Sequence, residues 1–192
     1  HIVGIGGREA GHTAGDAALD IALEGYQKLE NELRKPVLSV IDFSLPSTEK
    51  RLWIIDLAEQ KILLHTVVAH GRNSGILMAE KFSNRPESNQ SSLGFYKTAE
   101  TYRGKHGYSL RLDGLEKGIN DQARNRAIVI HGADYAREEV ARMSGRLGRS
   151  LGCPAVPTEL SDEVIDLIKE GSLLFIYAQD QTYLSQIPLL KP

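Results

Sequence analysis

At Pro36 the hydrophobic period of the chain changes, and that change limits what the chain can fold into. Before it, Ala18, Ile21, Ala22, Tyr26, Leu29 and Leu33 recur at steps of three and four, which predicts one helix over residues 14–34. Asp16 suits the start of that helix. Pro36 ends it, because the proline ring disfavours helical geometry at the residue before it. After Pro36 come short apolar runs at 37–43, 51–57 and 61–69, split by turns at 45–50 and 58–60. Runs of this kind predict an antiparallel meander. Further strands are expected at 94–99, 109–112, 127–131 and 172–177. Weak helix is expected at 135–143, and a firmer one at 161–170 with Gly171 at its C-terminal cap. The sum is an α+β fold, β-rich, with an N-terminal helix and a few short helices. It reads as a single globular domain overall: an arm and helix at 1–35, a main body at 36–180 and a tail at 181–192. The Gly-rich, aperiodic residues 1–13 read as a loose arm.

Composition excludes several function classes. A chain of 192 residues with net charge −2 and interspersed charges gives no case for nucleic-acid binding. No apolar run approaches the ~20 residues of a membrane span. The chain opens H-I-V-G-I-G-G, with no Met and no basic-then-apolar leader, and is read as a trimmed mature form. A single cysteine rules out an internal disulfide.

That cysteine, Cys153, is the centre of the chemistry. It lies in G-R-S-L-G-C-P rather than inside an apolar run, where a packing cysteine belongs. The preceding strand ends in His131-Gly132. A thiol, a nearby imidazole and turn-exposed amides at Gly152 and Cys153 are the parts of cysteine acyl transfer, with the amides as an oxyanion hole. His131 can take the thiol proton and return it to a leaving amine. Its other ring nitrogen needs an acceptor, and the sequence leaves the Gly132 carbonyl and Asp134 both open. Arg146 and Arg149 would lower the thiol pKa if close in space. With Arg142, they form a solvated loop or a basic patch for a carboxylate-bearing substrate.

Other readings of these residues are weaker. His70, His106, His131 and Cys153 suggest zinc at a glance, but no pair has ligand spacing, so no metal is assigned. His65, in mid-strand, is read as a packing or surface residue. The Gly148 stretch lacks the P-loop pattern, and no G-x-S-x-G elbow occurs. The polar segment 70–92 follows directly on a strand and is read as a binding loop.

The chain resembles the L,D-transpeptidase catalytic domains of the YkuD type, and most closely the murein L,D-transpeptidase branch. The signature elements are Ile130-His131-Gly132 and Ser150-Leu151-Gly152-Cys153. The branch resemblance adds Asp42-Phe43-Ser44, Ala69 to Gly75, Phe82-Ser83-Asn84, Ser91 to Tyr96, Asn120 to Arg124 and Gly152 to Pro157. It covers about residues 37–178. Two positions depart from the family pattern. Leu151 stands where the family has a second His, and Ala155 replaces a polar residue.

The resemblance implies a YkuD-like catalytic fold and a cysteine nucleophile that needs no cofactor. It implies peptidoglycan stem peptides as substrate: release of D-Ala from a tetrapeptide, then transfer to an amine (a 3–3 cross-link) or to water (L,D-carboxypeptidation). Cys153, His131, Gly132 and Gly152 are the expected catalytic residues. Ser150, Arg149, His70, Asn73 and Arg111 are expected to position substrate. The implied location is the cell envelope, periplasmic or extracellular, with the export signal absent from this sequence. The two departures also leave room for a catalytically silent peptidoglycan-binding module on the same fold. Another cysteine peptidase is a further alternative.

Overall fold

The computed structural model describes residues 15–192. The expected arm at 1–13 lies outside the described residues. Helix α1 (Asp16–Leu29) buries Ala18, Leu19, Ala22 and Gly25 and passes into a short 3-10 turn at Glu30–Glu32. The meander follows as expected: β1 (Val37–Asp42), β2 (Leu52–Asp56) and β3 (Lys61–Thr66) pair antiparallel in sequence order. β3 stops three residues short of the predicted end.

Strands β4 (Gly94–Gly104) and β5 (Gly107–Gly114) form a longer hairpin than expected. The run predicted to join them, 102–108, is mostly paired strand, and the turn is reduced to Lys105 and His106. β6 (Val129–Ala133) begins two residues later than expected, because Ala127 takes a left-handed conformation (φ 56°) that no strand accommodates. Helix α2 (Glu138–Ser144) precedes the cysteine loop. A three-residue strand that the sequence reading missed, β7 (Ala155–Pro157), follows that loop. Helix α3 (Thr158–Ile168) starts one turn earlier than predicted, directly after Pro157. β8 (Leu173–Tyr177) is the last strand, and a short helix α4 (Gln181–Leu184) lies in the tail.

All eight strands join one mixed sheet in the order β3-β2-β1-β8-β4-β5-β6-β7. β8 enters the middle, parallel to β1 and antiparallel to β4. β8 is buried along its whole length, and β1 from Leu38 onward, as strands covered on both faces must be. α1 lies against the face that carries Phe95 and Phe175, so closely that a Cβ on Gly25 would come within 2.2 Å of the Phe95 ring. α3 lies against the opposite face, where Gly132 meets Ser161 and Thr158. Because side chains alternate along a strand, His131 and its cross-strand neighbour Ser109 project to the α1 face. α1 packs chiefly on β1 and β8 and reaches β4 where Gly25 meets Phe95, which leaves the β5–β7 part of that face for the site.

The tail is not loose. Buried Glu116 accepts from the Phe95 amide (2.9 Å), the Tyr183 hydroxyl (2.6 Å) and the Leu189 amide (3.1 Å). Tyr183, Leu184, Ile187 and Leu189 pack on the same core as α1 and the sheet. No helix among the described residues is long and apolar enough to cross a membrane.

Candidate active site

Cys153 stands just before β7, beside the start of β6. Its Sγ accepts from the Val129 amide at 3.4 Å and points its proton at the Ala127 carbonyl at 3.5 Å. The left-handed Ala127 turns that carbonyl toward the thiol. Holding a non-glycine residue in this region costs on the order of 1 kcal/mol or more, and such strain tends to collect at functional sites. Burial pushes the Cys153 thiol up; the Val129 amide, Arg126 and Lys105 pull it back down in part. The cations beside the thiol are thus Arg126 and Lys105, not Arg146 and Arg149. Arg146 donates to the Leu147 carbonyl, and Arg149 to those of Arg72 and Gly75.

The loop that delivers the cysteine is tied by Ser150. Its hydroxyl donates to the Cys153 carbonyl at 2.6 Å and accepts from the Gly152 amide at 3.1 Å. Its amide donates to the His70 carbonyl, and its carbonyl accepts from the Arg72 amide. Ser150 is therefore a buried brace of the loop and not a group facing substrate. The Gly152 amide is spent on it, whereas the Cys153 amide donates to nothing among the described residues. Gly152 has φ 127°, and a Cβ there would meet Ile128, the Gln90 carbonyl and Arg126, so only glycine fits.

His131 lies 2% exposed on β6. Its Nδ1 is 2.9 Å from the Gly132 carbonyl, which can only accept, so Nδ1 carries the proton and Nε2 keeps its lone pair. Of the two acceptors open in the sequence, the carbonyl is the one used; Asp134 instead accepts from Thr158. Burial lowers the His131 pKa, the Gly132 contact raises it, and His106 and Lys105 lower it further. No hydrogen bond joins His131 to Cys153 among the described residues.

His70 is placed differently from expectation. The buried guanidinium of Arg51 donates to its Nδ1 at 2.8 Å, and its Nε2 donates to the Gly75 carbonyl at 3.0 Å. Both nitrogens are consumed and the residue is 1% exposed, so it is a strut and cannot touch substrate. Burial and the charge of Arg51 lower its pKa to about 4. Asn73 is exposed and holds the Ser88 carbonyl with its side-chain amide. Arg111 is on the His131 face, lies over the Tyr102 ring (4.2 Å) and faces Glu100 at 4.0 Å.

The segment 70–92 has no regular structure but is firmly tied. The Ser91 amide donates to Ser74 Oγ, and the Gly71 amide to Ser91 Oγ. Arg126 pins its far end, with Nη1 on the Ser83 carbonyl and Ser92 Oγ, and Nη2 on Ser88 Oγ and the Gln90 carbonyl. Arg126 escaped the sequence reading, because nothing in A-R-N-R-A-I-V marks it off from a surface arginine. A cavity of about 390 Å³ opens beside this segment, walled by Arg72, Ile76, Leu77, Lys81 and Arg149 among others. No cluster of three or more His, Cys, Asp or Glu side chains among the described residues can hold a metal ion.

No curated protein sequence matches the chain. Solved structures with a similar fold include an L,D-transpeptidase from Mycobacterium smegmatis (13% identity, TM-score 0.46), covering 74% of this chain and 59% of that one. Another is an L,D-transpeptidase from Stackebrandtia nassauensis (14% identity, TM-score 0.44), covering 81% and 65%. A third, from Mycobacterium tuberculosis H37Rv, has 14% identity and TM-score 0.41, covering 74% and 57%. The chain thus spans under two thirds of the length of these proteins. The L,D-transpeptidase catalytic domain family matches residues 11–177, a span that holds all eight strands of the sheet, and the chain belongs to that family.

Proposed function

We propose that the protein is a cysteine L,D-transpeptidase acting on peptidoglycan stem peptides. The observation that carries the reading is a partly buried thiol on the loop beside the strand that holds an oriented imidazole. Cys153 is held between the Val129 amide and the Ala127 carbonyl, and His131 keeps Nε2 uncommitted. The unspent Cys153 amide is the donor available to an oxyanion. The Gly152 amide joins it only by leaving Ser150.

The reaction runs in two halves. The thiol leaves the Ala127 carbonyl and passes its proton to His131 Nε2. The thiolate attacks the carbonyl carbon of the third stem residue, a diamino acid, and the Cys153 amide holds the oxyanion. The bond to D-Ala breaks, and His131 returns the proton to the departing amine. The acyl group now rests on sulfur as a thioester. In the second half an amine of another stem, or water, gives a proton to His131 and attacks the thioester. Sulfur departs and takes that proton back. An amine acceptor gives a 3–3 cross-link; water gives L,D-carboxypeptidation. Gly132 serves through its carbonyl on Nδ1. Arg111 and Asn73 are the surface groups nearest to a substrate-positioning role, and the location that suits the substrate is the cell envelope.

One observation favours a second reading. The resting thiol is raised by burial and makes no hydrogen bond to His131. A peptidoglycan-binding module without turnover would look the same. Mass spectrometry of a disaccharide-tetrapeptide incubated with the protein and with Cys153→Ala separates the two. Loss of D-Ala with a cross-linked dimer is expected from the native protein alone. An unchanged tetrapeptide that both proteins bind equally would transfer the case to the silent module.

A further inference from the structure

The β4–β5 hairpin sets His106 flat against His131. The ring centroids are 4.1 Å apart and the planes 12° from parallel. Gly104 pairs with Gly107, whose left-handed φ of 78° closes the turn, so Lys105 and His106 form the hairpin tip. His106 is exposed and His131 is buried. The exposed ring is therefore the cover of the buried one.

A single hydrogen bond, Nδ1 to the Gly132 carbonyl, fixes one edge of the His131 ring but lets the ring rock about that bond. A flat neighbour at stacking distance removes the rocking. Its charge also opposes a proton on His131. We propose that His106 is a positioning residue for His131, a cover at the hairpin tip that fixes the plane of the buried ring. This rests on His131 being the general base.

The other groups around His131 do not supply this role. Ser109 opposite it on β5 and Ala155 opposite it on β7 carry no charge. Arg111, on the same face, is engaged with Tyr102 and Glu100. The Asp134 carboxylate is held by Thr158. Cys153 is bonded to Val129 and Ala127. Lys105 adds charge without a ring.

Removing His106 strips both the cover and the charge, and both changes raise the affinity of His131 for a proton. Ring-proton NMR titration of His131 in the native protein, His106→Ala, His106→Phe and Lys105→Ala reads this directly. His106→Ala is expected to shift the His131 titration to higher pH and to move the acidic limb of D-Ala release with it. kcat is expected to fall about tenfold, with KM within about twofold. His106→Phe keeps a flat cover and is expected to hold kcat nearer the native value, with a smaller shift. Lys105→Ala is expected to shift the titration least. A His131 titration that does not move in folded His106→Ala would overturn the proposal, as would equal shifts in His106→Ala and Lys105→Ala. The titration needs no substrate. A shifted titration in a protein that never releases D-Ala would therefore sink the transpeptidase reading and leave the ring pair standing.

Discussion

His70 and His131 stand on either side of the same short strand. Ala69, next to His70, bridges Ala155 from one side, and His131 pairs with Ala155 from the other. Each is followed by glycine, each is almost wholly buried, and burial lowers both pKa values. They differ in what their nitrogens do. His70 has a cation on Nδ1 and a carbonyl on Nε2, so it is neutral, locked and unavailable. His131 has one nitrogen tied and one open. The two rings differ by the bond that His131 does not make, and neighbouring sequence does not report that.

The largest effect expected from this contrast is a crossed pair of losses. His131→Gln should lower D-Ala release by 10²- to 10⁴-fold, roughly the value of a general base, with a smaller loss of stability. His70→Ala should do the reverse. It strands the buried Arg51 guanidinium without one acceptor and should cost about 2–4 kcal/mol in urea unfolding, with far less effect on turnover of the folded fraction. Equal losses of turnover in the two variants, at equal stability, would break the comparison.

The next effect is on stability against pH. His70 has a folded pKa of about 4, below its ordinary 6.5. The unfolded chain therefore binds a proton between these values and the folded chain does not. The contribution is fully present above pH 6.5, is lost as pH falls toward 4, and amounts to about 3 kcal/mol. His70→Asn, whose amide oxygen stands in for Nδ1, should lose less stability than the native protein over that window in parallel urea titrations. Identical slopes would mean that His70 is charged in the fold. The smallest effect concerns the carbonyl that holds the thiol. Ala127→Gly relieves the left-handed strain and should change stability by no more than about 1 kcal/mol, while Cys153 alkylation rates report whether the thiol is freed.

The parts of the fold that were legible share a local cause. The meander shows because β1 to β3 are neighbours in sequence and in space, and α1 shows through its period and Pro36. Cys153 and His131 show because a glycine loop around a lone cysteine is not core chemistry. What was missed depends on distant pairing. β7 is only three residues long and exists because β6 receives it. The sequence proximity of Arg146 and Arg149 pointed to the wrong cations; Lys105 and Arg126 reach the thiol from β4–β5 and from the turn before β6. His70 looked like a ligand contact because Arg51, its partner, lies 19 residues away. The tail carried no period, yet Glu116 anchors it.

The position of β8 has a consequence for how the molecule is made. Remove residues 173–177 and the sheet falls into two pieces, β3-β2-β1 and β4-β5-β6-β7, linked by the isolated bridges Ala69–Ala155 and Gly71–Ser150. The strands of the site lie in the second piece, and the loop that carries Cys153 is tied to segment 70–92, which follows the first. A ribosome that has released everything up to Ser172 has therefore released Cys153, His131 and the hairpin tip without the strand that joins the halves. Contacts of such long sequence separation are slow to form. β8 pairs with β1 and β4, both far from it in sequence, so the two halves of the sheet are joined through the last strand of the chain.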